Sequence, residues 1–166
     1  MTESYDLDRP QRLTVGTVGE PGRRIFLLQA VRDWQVVTLK LEKAQVAALA
    51  QYLAQMLEEV GRPGDLPTDM ELLEPTEPEW VIGSLGVSYD EDESAFVIVA
   101  EEAVAEDDVG AVARIGATLE QIAALAIRGT QLVESGRPPC PLCGYPLDPV
   151  EHHACPRTNG NRPPGL

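Results

Sequence analysis

The residues best suited to chemistry in this chain lie near its C-terminus. Cys140-Pro141-Leu142-Cys143-Gly144 is followed, after an eight-residue spacer from Tyr145 to His152, by His153-Ala154-Cys155-Pro156. All three cysteines and both histidines of the chain fall in this stretch. Three thiolates and one imidazole form the donor set of a tetrahedral Zn²⁺ site. In a Cys-x-x-Cys-Gly loop two sulfurs converge on one ion while nearby backbone N–H groups stabilise the thiolates, and Gly144 permits the tight turn. Pro141 and Pro156 stiffen the two arms and lower the entropy lost on closure. The spacing assigns Cys140, Cys143, His153 and Cys155 as ligands, with His152 as the alternative imidazole.

A thiol–disulfide centre is the competing chemistry, but this Cys-x-x-Cys pair stands in a Pro-rich tail and not at a strand-to-helix junction. A structural disulfide would leave one cysteine odd, and nothing points to a secretory context. Four protein ligands close the coordination sphere, whereas a catalytic zinc keeps a position for water. The expectation is one structural Zn²⁺, which supplies on the order of 10–16 kcal/mol of apparent folding free energy to a tail too short to build a core.

Charge is the second informative pattern. Residues 1–62 hold eight basic and eight acidic side chains, residues 63–113 hold fifteen acidic ones and no Lys or Arg, and residues 114–166 hold five basic and four acidic ones. The net charge of −14 therefore comes from the middle of the chain. Such a belt repels phosphate backbones, so nucleic acid is disfavoured as a partner; the belt reads first as a solvated surface that keeps the chain soluble, and second as a docking surface for a basic protein partner. A carboxylate site for Mg²⁺ at Asp90-Glu91-Asp92-Glu93 is a weak reading, because acidic hairpin tips are common. With both histidines in the tail, a Ser-His-Asp or Cys-His arrangement in the body is excluded. The N-terminus is acidic and polar, and the most apolar run, Ile115 to Ile127, is broken by Glu120 and too short for a bilayer. The reading is a cytoplasmic chain with no membrane span.

The elements that would carry these residues follow from periodicity. Leu13–Val18, Arg24–Arg32 and Trp34–Leu41 read as strands, the second apolar on both faces through Ile25-Phe26-Leu27-Leu28. Val46, Leu49, Ala50, Leu53, Leu57 and Val60 form the stripe of a helix that starts near Glu42 and ends at Gly61 and Pro63. Residues 61–79 read as a long exposed connection. Trp80–Tyr89 and Ala95–Glu102 form a hairpin turning at Asp90–Glu93. Asp107 or Asp108 would then cap a second long helix whose stripe includes Val112, Ile115, Leu119, Ile122 and Ala126.

Val15-Gly16-Thr17-Val18-Gly19 and Ile82-Gly83-Ser84-Leu85-Gly86 echo one another. The expected fold is thus α+β: one antiparallel sheet of about five strands and two main helices, in a duplicated strand-strand-helix layout, with an appended zinc knuckle. Its expected parts are a flexible N-terminus at 1–12, a globular domain at 13–135, and a Pro-rich linker with a Cys3His knuckle at 136–166. The glycines also invite a phosphate-loop reading with Arg23 and Arg24 as cations, but neither segment opens a helix directly and no Gly-Lys-Ser/Thr follows.

The Val-Gly-Thr-Val-Gly-Glu-Pro-Gly segment (15–22), Phe26-Leu27-Leu28-Gln29-Ala30, Leu41-Glu42-Lys43 and the tail through His153-Ala-Cys155-Pro-Arg-Thr-Asn-Gly together resemble an uncharacterised actinobacterial family, domain of unknown function 3090. The resemblance spans nearly the whole chain. It implies a cytosolic actinobacterial protein with no established activity, and it supports Cys140, Cys143, His153 and Cys155 as a shared metal set. His152 stands where the family pattern has a small residue. The resemblance further implies a gene placed near those of a histidine-phosphatase-like and a kinase-like protein, and with it the expectation of a role in one complex. The functional expectation is an accessory or protein-interaction protein rather than an enzyme. The alternative is a nucleotide- or phosphate-ligand-binding or hydrolytic protein that uses the Gly-rich strand ends and acidic residues.

Overall fold

Strand pairing in this chain is driven by residues that alternate between a buried and an open face. A computed structural model describes residues 2–20 and 22–135. Among the described residues lie seven strands and two helices: β1 (Tyr5–Asp8), β2 (Arg12–Val18), β3 (Ile25–Arg32), β4 (Gln35–Leu41), α1 (Lys43–Val60), β5 (Ile82–Asp90), β6 (Ala95–Glu102), β7 (Val112–Ala117) and α2 (Leu119–Ser135). The class is α+β, but there are two sheets where one was expected: β2-β3-β4, and β1-β7-β6-β5. All neighbours are antiparallel except β1 with β7. The sheets meet at one corner, where Lys40 bridges Val81 in parallel.

After β1, the chain runs twice through three sequential strands and a helix, β2-β3-β4-α1 and β5-β6-β7-α2, one strand more per unit than the expected strand-strand-helix. The inward rows Leu13/Val15, Phe26/Leu28/Ala30 and Val37/Leu39/Leu41 join Phe96/Ile98/Ala100 and Ala113/Ile115/Ala117 in a single core with both helices. Both helices start directly from a strand end with a glutamine at the third helical position. Glu42 N–H donates to Gln45 Oε1 (2.7 Å), and Thr118 N–H donates to Gln121 Oε1 (3.0 Å) while Thr118 Oγ1 accepts from Gln121 N–H (3.1 Å). These reciprocal bonds satisfy N–H groups that a helix start leaves open.

Two expectations are corrected here. The second helix does not start at Asp107 or Asp108. Val112 and Ile115 belong to β7, whose period-two row Ala113, Ile115, Ala117 is buried, and Thr118 caps α2. The first ten residues are anchored rather than free. β1 pairs with β7 from Tyr5↔Ala113 to Asp8↔Gly116, and Leu7 is 0% exposed. Ahead of it, Trp80 Nε1 donates to Glu3 O (2.9 Å) and Val112 N–H donates to Ser4 Oγ (2.9 Å). Burial, with Glu79 beside it, pushes the Tyr5 phenol up to about 12.

Residues 61–79 have no regular structure, yet their middle forms a strap over the outer face of β2-β3-β4. The cross-strand row Thr14–Gln29–Thr38 is polar and buried, with Gln29 1% exposed. A buried polar row needs partners, and the strap backbone supplies them. Thr14 Oγ1 donates to Met70 O (2.6 Å) and Thr38 Oγ1 to Pro75 O (3.0 Å). Gln29 acts as a strand neighbour to Leu73: its Nε2 donates to Leu73 O (2.7 Å) and its Oε1 accepts from Leu73 N–H (2.8 Å). Leu72 lies on Gly16, where a Cβ would come within 2.6 Å of its Cγ, so Gly16 is a packing glycine.

Arg12 clamps the strap through Asp69 (2.9 Å) and Glu71 O (2.5 Å). The Arg12 hydrogen bond, followed by the Glu71 N–H, holds the Asp69 carboxyl below its ordinary 3.8. Because the folded value is depressed, this contribution is complete above 3.8 and is lost as the pH falls through the folded value. Hydrogen exchange at Glu71 and Leu73, corrected for intrinsic rates, is therefore expected to accelerate below pH 3.8. In Asp69→Asn protein that acceleration should already be present at neutral pH.

Candidate functional site

An open sheet edge is a row of unpaired backbone donors and acceptors, and natural sheets cover or blunt it. Here β2 is covered by α2, whose Arg128 Nε donates to Val15 O (3.4 Å). β4 is taken by the segment before β5, with Glu79 N–H donating to Thr38 O (2.7 Å) and Lys40 N–H to Trp80 O (3.1 Å). β1 has only four residues, with Asp6 and Asp8 exposed. β5 is different. It has nine residues with neither Lys nor Pro, and beyond its corner with β4 no strand pairs with its outer edge among the described residues.

The backbone groups at this edge follow from alternation. Glu102 N–H donates to Ala111 O on the β7 side, so Glu101, Val99 and Val97 turn toward β5 and meet Ser84, Gly86 and Ser88. Leu85, Val87 and Tyr89 thus direct their N–H and C=O away from β6, at the free edge. Their side chains are half-buried against the core, while Ser84, Gly86 and Ser88 are exposed on the other face. A bulge between Ile82 and Ser84 swings the strand away from β4. Gly83 serves that bulge, since a Cβ there would lie 2.8 Å from Ala103 Cα.

Between the departing strand and α1 lies an apolar groove of about 590 Å³, lined chiefly by Ala48, Leu49, Tyr52, Leu85 and Val87. Gln45 closes one end by donating to Ile82 O (3.2 Å). The duplicated layout explains the opening. Gln121 reaches Pro10 O (2.8 Å) just before β2, as Gln45 reaches β5. Tyr52 stands along α1 nearly as Arg128 stands along α2. Arg128 satisfies a carbonyl of β2, whereas Tyr52 is half exposed and makes no hydrogen bond to β5 among the described residues. The surroundings are acidic: Glu79, Asp90, Glu91, Asp92, Glu93 and Glu101 flank or precede the hairpin, and no Lys or Arg occurs from 63 to 113.

A model of a family described as a protein of unknown function (DUF3090) matches residues 5–155, from the first strand through the last cysteine. The chain belongs to that family. No curated protein and no solved structure matches the DUF3090 chain.

The ligand set expected for zinc, Cys140, Cys143, His153 and Cys155 with His152 as alternative, lies outside the described residues of the DUF3090 chain. Within them no group of three or more His, Cys, Asp or Glu side chains is placed to hold a metal. At the hairpin tip Asp90 Oδ1 accepts the N–H groups of Asp92 (3.1 Å) and Glu93 (3.2 Å), and Glu93 pairs with Arg9 (3.5 Å). Gly16 and Gly83 sit inside strands and are crowded by neighbours rather than open to an anion. Arg24 lies over the Phe26 ring (5.6 Å) and donates to Ser135 Oγ (3.0 Å). No helix among the described residues is long and apolar enough to cross a membrane. The edge and its groove were missed by sequence reasoning. The available signal was a nine-residue alternating strand that lacks the Lys or Pro of a protected edge.

Proposed function

We propose that this chain is a protein-interaction module that adds an extended, basic segment of a partner protein to the edge of β5. The observation that carries the reading is the unpaired run Leu85–Tyr89 beside an apolar groove and an acidic surround. An added strand gains main-chain hydrogen bonds from the edge and specificity from alternate side chains. Those facing α1 enter the groove and are apolar. Those on the other face meet Glu101 and the hairpin carboxylates and are Lys or Arg. A labelled peptide alternating Val and Lys is the probe. It should bind the full-length protein saturably and more weakly at high salt, while a Val/Glu peptide of equal length should not bind. Equal binding of both peptides, or of neither, contradicts the reading.

The same proposal includes one structural Zn²⁺ held by Cys140, Cys143, His153 and Cys155. It is supported by the donor set and by a family match that runs through residue 155. Native mass spectrometry is expected to find one zinc per chain, lost in Cys143→Ser protein; a metal-free native protein removes this part of the account. The protein would then act in the cytoplasm as an accessory component of an assembly.

A further inference from the structure

The chain contains only two lysines, Lys40 and Lys43, and both line one recess together with Arg24. The strand register brings them there. β3 and β4 pair antiparallel, with Leu27 opposite Lys40 and Phe26 opposite Leu41, so the start of β3 lies beside the end of β4. Arg24 stands one residue before β3, Lys40 is the last residue but one of β4, and Lys43 opens α1. The recess has a volume of about 380 Å³, within the roughly 300–1,000 Å³ usual for small-molecule sites.

Charge at this place runs against the rest of the molecule. The net charge of the chain is −14, yet three cations line the recess and Glu42 is the one carboxylate among its lining residues. No residue of the acidic stretch 63–113 lines it. The ion pairs among the described residues are Arg9 with Glu93 and Arg12 with Asp69, so none of the three cations here has an acidic partner within them. Arg24 is already held in place: it lies over the Phe26 ring (5.6 Å), and its Nη1 donates to Ser135 Oγ (3.0 Å). A guanidinium has five N–H donors, and the others make no hydrogen bond among the described residues. Lys40 is half-buried and Lys43 is exposed.

We infer that this recess binds the phosphoryl group of a small phosphate ester. Three cations less one carboxylate leave two positive charges, which match the charge of about −1.5 to −2 on such a group at neutral pH. The two ammonium groups act on phosphate as point charges, and the arginine supplies directed N–H donors. Ile25 and Phe26, which also line the recess, offer the rest of the ester an apolar wall. A nucleic acid or an anionic lipid surface would bring many phosphates against a chain of this net charge, whereas a single ester brings one. The recess shares no lining residue with the groove beside β5, so it is a second site, independent of the partner segment proposed there.

The two lysines make the test direct. Full-length, metal-replete protein labelled with ¹³C at lysine Cε gives one signal for each, assigned with Lys40→Arg and Lys43→Arg. Phenyl phosphate, inorganic phosphate and chloride are titrated at constant ionic strength. Both signals are expected to shift saturably with phenyl phosphate and to report one dissociation constant. Inorganic phosphate should bind more weakly, and chloride should give no saturable shift. Arg24→Gln is expected to weaken phenyl phosphate by about tenfold, and so is Lys43→Gln, an exposed substitution read on the Lys40 signal. Arg114→Gln, which removes a cation from another strand, should leave the constant unchanged. Absence of a shift, a shift of one lysine alone, or the same response to chloride would overturn the inference. So would equal losses in Arg24→Gln and Arg114→Gln. Inorganic phosphate binding as tightly as phenyl phosphate would overturn the ester and leave the free ion as the ligand.

Discussion

Replacing Gln29 with alanine is expected to lower the free energy of unfolding by about 3 kcal/mol. Gln29 is the centre of the buried polar row, and it holds the Leu73 backbone through both its amide nitrogen and its oxygen. Its Nε2 also donates to Thr38 Oγ1 (3.0 Å). Truncation leaves the Leu73 N–H and C=O without this partner and opens a cavity between strap and sheet. Each unsatisfied buried group costs about 1–3 kcal/mol, and partial collapse of the strap recovers some of it. Urea unfolding followed by the fluorescence of buried Trp80 measures the change. Gln29→Glu should be worse, because it removes the donor and brings a charge into the same site. A loss below about 0.5 kcal/mol in Gln29→Ala would mean that the strap does not depend on this row.

The second large effect is on partner binding. Val87→Pro removes an N–H that points away from β6, so the β5–β6 ladder keeps its bonds while the outer edge loses a donor in the middle of its run. Ala48→Arg fills the groove and places a positive charge where a basic segment must lie. Each is expected to weaken the Val/Lys peptide by about tenfold or more, equivalent to roughly 1.4 kcal/mol. Ala48 is exposed on α1, so Ala48→Arg should leave the unfolding midpoint nearly unchanged and separate lost binding from lost fold. Unaltered affinity in both variants would place the peptide elsewhere.

Much of this architecture was legible because its signals are local. β2, β4, β5 and β6 announce themselves by alternation, β3 by its apolar run, and α1 by its stripe between Glu42 and Gly61. Gly16 and Gly83, which echo one another in sequence, sit at different places, one under Leu72 in mid-strand and one in the bulge that opens β5. The sequence points to helix at β7 because Val112, Ile115, Leu119 and Ile122 also satisfy helical spacing. The inward Ala113 and Ala117 are too small to make a strand pattern stand out. Thr118 and Gln121, a capping box in plain sequence, mark the true start of α2. β1 was missed because four residues with Asp6 and Asp8 outward carry one strong apolar signal, Leu7. The strap and the groove depend on non-local meetings, Gln29 with Leu73 and Tyr52 with β5, which no window of sequence contains. The candidate zinc ligands are legible from residue type and spacing alone.

Hydrogen exchange resolved at single amides offers the most direct test of the open β5 edge as the docking surface. With the Val/Lys peptide at saturation, the account predicts slowed exchange at Leu85, Val87 and Tyr89, whose N–H groups face outward, and little change at Ser84, Gly86 and Ser88, which already bond to β6. Protection that spares the three outward amides, or that falls on another edge of either sheet, would contradict it.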